Sequence, residues 1–189
     1  MEQKPEKTET PIAQRVVYQT ALEALTHAVQ ADQHPELIAE LKAVGYDLQR
    51  PRREYTPDTL VTVINLLADR CFPDKSREEA YKEFGRRAFE AYRSTVAGRV
   101  VLASLKTATL PKALKLFSQG IATATNFSTY EVLTIGASSL VLRAQQSVSP
   151  PYYIIGMLES LLIDSGHPEV QVRLLDDHYP TQIDYELRW

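Results

Sequence analysis

Beyond Asn126 the apolar spacing changes from helical to alternating, and this break constrains the fold more than any other feature of the chain. TQIDYELRW places Ile183, Tyr185, Leu187 and Trp189 on one side of a strand, with Gln182, Asp184, Glu186 and Arg188 on the other. EVQVRLL does the same with Val170, Val172 and Leu174 against Gln171 and Arg173, and the DDHYP between them is turn chemistry. STYEVLTIG and SSLVLRAQQ flank Gly136-Ala137 and fit two strands joined by a short turn. Between the strand pairs lies SPPYYIIGMLESLLIDSG, the most apolar run of the chain. A membrane-spanning helix needs roughly 20 apolar residues, and this run offers about a dozen before Glu159 and Ser160 interrupt it. It therefore predicts a buried helix on the sheet, capped by Ser149, with Pro150 and Pro151 in its first turn and Gly166 as a left-handed stop. Ile154, Ile155, Leu158, Leu161 and Leu162 make its apolar face. Gly156 costs about 1 kcal/mol in a helix interior, for which close approach to a strand is the expected reason.

Before Asn126 a short extended RVVY leads into helical patterns at residues 19–30, 35–44, 57–70, 75–95 and 111–125. Gly45, Thr56-Pro57 and Phe72-Pro73-Asp74 punctuate them. The expected class is α+β: an N-terminal helical layer on a four-stranded, mainly antiparallel sheet, in the order strand, strand, helix, strand, strand. Residues 1–12 are polar, proline-containing and without apolar period, and read as a disordered tail ahead of one domain over residues 13–189.

The net charge of −3 gives the molecule no field that would draw it onto nucleic acid or anionic lipid, and base-stacking aromatics do not flank the basic residues. One cysteine, Cys71, makes no intramolecular disulfide, and MEQKPEKTETP lacks a secretory apolar core, so a cytoplasmic setting is expected. His27, His34, His167, His178 and Cys71 show no metal-site spacing, and neither G-x-S-x-G nor a glycine-rich phosphate loop is present. No metal, cofactor or catalytic residue is assigned. Arg50, Arg52 and Arg53 cluster in a predicted loop as anion-binding candidates. On the fourth helix Glu78, Glu79, Glu83 and Glu90 interleave with Lys75, Arg77, Lys82, Arg86 and Arg87, a solvated ion-paired face. Phe89, Tyr92, Tyr130, Tyr152 and Tyr153 are candidates to line a pocket between helices and sheet, the alternative being that they fill the core.

CFPDKSREEAYKEFGRRAFEAYRSTVAGRV, with its Phe72-Pro73 pair, and PPYYIIGMLESLL resemble a family of about two hundred residues, expanded in myxobacteria and of unknown function. The resemblance runs from Arg15 to Trp189. More distantly, the order of elements is similar to the fold of haem-nitric-oxide-binding and vinyl-4-reductase-type domains and of vesicle-tethering subunits, which implies ligand sensing or assembly by analogy only. In the haem-binding relatives a Tyr-x-Ser-x-Arg signature holds the propionates. Here Tyr92 and Ser94 match, but Val96 stands where the arginine is required, and only His27 and His34 lie upstream as proximal candidates. The function expected is a non-enzymatic bacterial regulatory or sensory module for signal transduction, binding a small apolar ligand or a protein partner. A homodimeric interaction module and an enzyme with an unrecognised site are the alternatives.

Overall fold

The computed structural model describes residues 10–105 and 108–189. Residues 1–9 of the expected tail lie outside them, and Ile12–Gln14 form a 3-10 turn. Strand β1 (Val17–Tyr18) pairs antiparallel with β2 (Glu54–Tyr55), a small sheet that RVVY alone does not announce. Around it lie helices α1 (Gln19–Ala28), α2 (Pro35–Ala43), α3 (Pro57–Cys71), α4 (Arg77–Ser94), α5 (Val96–Leu105) and α6 (Leu110–Ala122). Strands β3 (Thr129–Gly136) and β4 (Ser139–Gln145), helix α7 (Pro151–Asp164), and strands β5 (Gln171–His178) and β6 (Gln182–Arg188) complete the chain. The α+β reading holds: the four strands form one antiparallel sheet in the order β3-β4-β6-β5.

Alternation fixes the register. Leu140, Leu142 and Ala144 of β4 stand opposite Leu187, Tyr185 and Ile183 of β6, and all six are buried on the face turned to the helices. α7 is buried on most of its circumference because one side meets α4 and the other meets β5. Gly156 permits the first contact. A Cβ built on it would lie 1.9 Å from the Lys82 carbonyl oxygen, and one on Gly85 would lie 2.0 Å from that of Tyr153. The close approach expected of Gly156 is therefore to helix α4 rather than to a strand. Glu159 ties the edge of the crossing, accepting from Lys82 Nζ at 2.6 Å and Arg86 Nη2 at 2.7 Å, and Arg93 reaches Asp164 at 3.1 Å.

Several local expectations are corrected. Ser149 does not cap α7: the cap is Pro150, with ψ 140°, because a residue preceding proline is held out of the helical region and the helix cannot begin before Pro151. Its end is as expected, with Gly166 at φ 83° and the His167 amide donating to the Leu162 carbonyl at 2.8 Å. α5 was not foreseen. Thr95 opens it by accepting the Gly98 amide at 2.9 Å, a serine/threonine N-cap hidden in what reads as the tail of α4. Asp176, Asp177 and His178 of DDHYP continue β5 opposite Asp184, Ile183 and Gln182, leaving Tyr179 to Thr181 as the turn. On α4, Glu79 closes a capping box with Ser76 instead of pairing along the helix. Trp189, expected on the apolar face, is 47% exposed at the end of β6.

The polar face of the sheet is not simply solvated. Asp184 and Glu186 are 5% and 2% exposed beneath arginines. Arg143 donates to both Asp184 oxygens at 2.9 and 2.7 Å, while Arg173 and Arg188 both donate to Glu186, the latter at 2.7 Å. Burial pushes the Glu186 carboxyl up, and the hydrogen bonds from Arg173 and Arg188 outweigh it, so its pKa lies below the ordinary value. A depressed carboxylate pKa stabilises the fold above the unfolded value of 4.5, and that contribution is lost as pH falls from there through the folded value. Urea midpoints of the wild type should accordingly fall with pH below about 4.5, and Glu186→Gln should lower the neutral midpoint and flatten this acid limb. An unchanged acid limb in the variant would remove Glu186 from the account.

Candidate functional site

A cavity of about 540 Å³ opens where α1, α3, α4, α6 and α7 converge. Phe89 and Tyr92 enter it from α4 and Tyr153 from α7, so three of the five aromatic candidates meet on one wall. Phe89 and Tyr92 have their rings 6.4 Å apart, and Tyr153 leans on Phe84 at 5.7 Å. Tyr153, Met157 and Leu161 recur at four-residue spacing along one side of α7, with Ile154 beside them. Leu60 and Ile64 of α3 close the deep end, and the exposed residues Thr20, Ala24, Gly120 and Thr123 border the mouth between α1 and α6.

Small residues make the space. Ala21 and Ala24 on α1, Ala88 on α4 and Gly120 on α6 face the cavity at positions where large apolar side chains would otherwise fill it. These residues, with Leu116, Phe117 and Ile121 of α6, were not singled out in the sequence. The alanines three apart on α1 were the available signal. Among the described residues the lining holds no Asp, Glu, Lys, Arg, His or Cys, and its only polar side chains are hydroxyls: Thr20, Tyr92, Thr123, Ser149 and Tyr153.

The remaining candidates lie elsewhere. Tyr152 sits in the first turn of α7 with its hydroxyl toward Glu78, and burial raises its pKa first, the Glu78 contact second. Tyr130, on β3, lines a broad depression of about 1520 Å³ beside α6, whose walls include Lys115, Gln119, Glu131 and Gln145. Charged and amide side chains share that depression with its apolar residues, so it is less suited to an apolar ligand than the helical cavity. Arg52 is occupied: Nη2 donates to the Gly45 carbonyl at 3.0 Å, its amide donates to the Tyr55 hydroxyl at 2.7 Å, and its guanidinium lies 4.9 Å over the Tyr55 ring. Arg50 and Arg53 are exposed, and none of the three arginines reaches the cavity. His27, His34 and His178 are exposed and His167 is half-buried, all away from the lining. No group of three or more His, Cys, Asp or Glu is poised for a metal among the described residues. Burial pushes the Cys71 thiol up, against the pull of Arg87, so it is a poor nucleophile.

Behind Tyr153 lies a buried hydroxyl cluster. Burial pushes Tyr130 up to about 12, a shift that the neighbouring Ser147 side chain partly offsets. Tyr153 is raised by burial and then by Tyr130, and Tyr185 on β6 is raised well above the ordinary tyrosine value by burial first and Tyr130 second. Among the described residues Tyr185 Oη is buried with no hydrogen-bond partner, whereas Ser147, like Tyr185 0% exposed, faces the Tyr130 hydroxyl.

No helix among the described residues is long and apolar enough to cross a membrane. No curated protein matches the sequence. Among solved structures, the Fe(II) unliganded H-NOX protein from K. algicida is similar, with a TM-score of 0.58 and 12% identity over 90% of this chain and 95% of that one. An oxygen-binding H-NOX domain related to soluble guanylate cyclases aligns with a TM-score of 0.51 and 14% identity over 89% and 90% of the two chains. At such identity the likeness is one of fold. The family described as proteins of unknown function, DUF2378, matches residues 15–189, and the chain belongs to it.

Proposed function

We propose that this protein is a non-enzymatic sensory module whose helical cavity binds a small apolar ligand without haem. The apolar cavity on which Phe89, Tyr92 and Tyr153 converge carries this reading: its volume lies within the roughly 300–1,000 Å³ of ligand sites, and its hydroxyls can orient an occupant. The H-NOX likeness supports a ligand-sensing role, since those relatives are described as iron-containing and oxygen-binding. Haem does not fit the residues present. Its propionates would require a cation, and the described lining supplies no arginine, lysine or histidine, while for the iron it offers only Met157 and the tyrosines Tyr92 and Tyr153. Among the described residues the lining also holds no carboxylate, imidazole, amine or thiol to act as a general acid or base, and burial raises Tyr92 and Tyr153 further from neutrality.

Native mass spectrometry of protein purified gently from its own host tests this directly. An excess over 21.3 kDa that disappears on denaturation is expected, and its mass identifies the ligand class. If native protein carries no excess and the purified chain takes up no apolar dye, the cavity is not a ligand site.

The same reading includes a cytoplasmic homodimer. Trp189 and Ile135 are 47% and 54% exposed, and the Trp189 amide donates to Ser138 beside the β3–β4 turn, so two large apolar side chains flank one end of the sheet. Light scattering after size exclusion should return about twice the chain mass, and a Trp189→Glu chain should return a single one. A monomeric wild type would remove the dimer and leave the cavity reading untouched.

A further inference from the structure

Resting on the cavity reading, the chemistry of the walls says more about what fits. A charged ligand group buried there would meet no opposite charge among the described lining residues, and an unpaired buried charge is far too costly to hold at ordinary affinity. A hydrocarbon lacking any polar group would leave the hydroxyls at the Tyr153 end unused. Just behind that end, Tyr185 Oη already lacks a partner among the described residues, and leaving a further buried hydroxyl unmet is unfavourable. Tyr153 is the point of contact because it is the buried hydroxyl residue of the described lining, 7% exposed, whereas Thr20 and Thr123 are exposed and Tyr92 and Ser149 half-buried.

We infer that the cavity takes an uncharged amphiphile, an aliphatic or isoprenoid alcohol or ketone, with its apolar body along α3 and α6 and its single hydrogen-bonding group at Tyr153. The alternative occupant of the cluster is water alone, which would leave the cavity indifferent to the ligand's polar group.

The full chain is titrated with 1,6-diphenylhexatriene, a fluorescent hydrocarbon with no hydrogen-bonding group, and the dye is then displaced with 1-decanol, 2-decanone, decanoate or decylamine at a pH near 7.5. The alcohol and ketone should displace it at concentrations at least tenfold below those of the two ions. Tyr153→Phe, which removes one oxygen, should bind the dye as the wild type does and lose about tenfold in decanol affinity, the equivalent of about 1.4 kcal/mol. Retained dye binding is the control for folding of the variant. Decanoate matching decanol, or an unchanged decanol affinity in Tyr153→Phe, overturns the inference while leaving the cavity as an apolar site. Failure of the wild type to bind the dye overturns both.

Discussion

Gly85→Ala should destabilise the protein by about 3 kcal/mol, the upper end of what overpacking a core produces, although alanine is the better helix former by about 1 kcal/mol. The two effects have opposite signs, so the measurement decides between them. In an isolated helix the substitution stabilises. Here the new methyl would lie 2.0 Å from the Tyr153 carbonyl oxygen and 3.1 Å from the Met157 amide nitrogen, and the obstacle is helix backbone that no side-chain rotation can clear. α4 and α7 must separate, and with them Phe84 from Tyr153 and the pairs that Glu159 makes with Lys82 and Arg86. Gly156→Ala should act similarly through the Lys82 carbonyl, 1.9 Å away. Because one separation relieves both clashes, the double variant should lose less than the sum of the singles. Urea unfolding followed by circular dichroism reads all three. A Gly85→Ala midpoint equal to or above that of the wild type would mean that the helices do not cross this closely.

This crossing marks where sequence reasoning stopped. The alternation in β6 set which residues face the helices, because a period of two admits only one arrangement once Ile183, Tyr185 and Leu187 are to be buried. The interruption of the sheet by α7 followed from the length and punctuation of its apolar run. Gly156 stood out as costly within a helix, but its partner Gly85 lies 71 residues earlier, and nothing local says that two glycines meet. The burial of the β6 carboxylates is not legible in the sequence for a related reason. Asp184 and Glu186 alternate as solvated residues should, and only the register that brings Arg143 and Arg173 across from them reveals that they are covered. The cavity was legible from its aromatic side alone. Phe89, Tyr92 and Tyr153 are large enough to attract notice, whereas the small residues opposite matter for the volume they leave empty, which depends on the spacing of helices.

That dependence makes Gly120 the most informative position on the cavity. It lies on α6 one turn beyond Leu116, and a Cβ added there meets no atom within 4 Å. Gly120→Ala should therefore gain about 1 kcal/mol of helix propensity, worth roughly 2–4 °C in Tm for a chain of this size, with the cavity still open. Gly120→Leu should gain a similar amount and in addition place an isobutyl group among Leu116, Phe117 and Ile121, where a ligand would lie. Diphenylhexatriene binding should then fall by tenfold or more in Gly120→Leu and remain at the wild-type level in Gly120→Ala. The combination discriminates because loss of binding through misfolding would come with a lower Tm, whereas plugging the site comes with a higher one. Undiminished dye binding in a stable Gly120→Leu protein would place the dye outside this cavity, and the sensory role proposed for it would have to be abandoned.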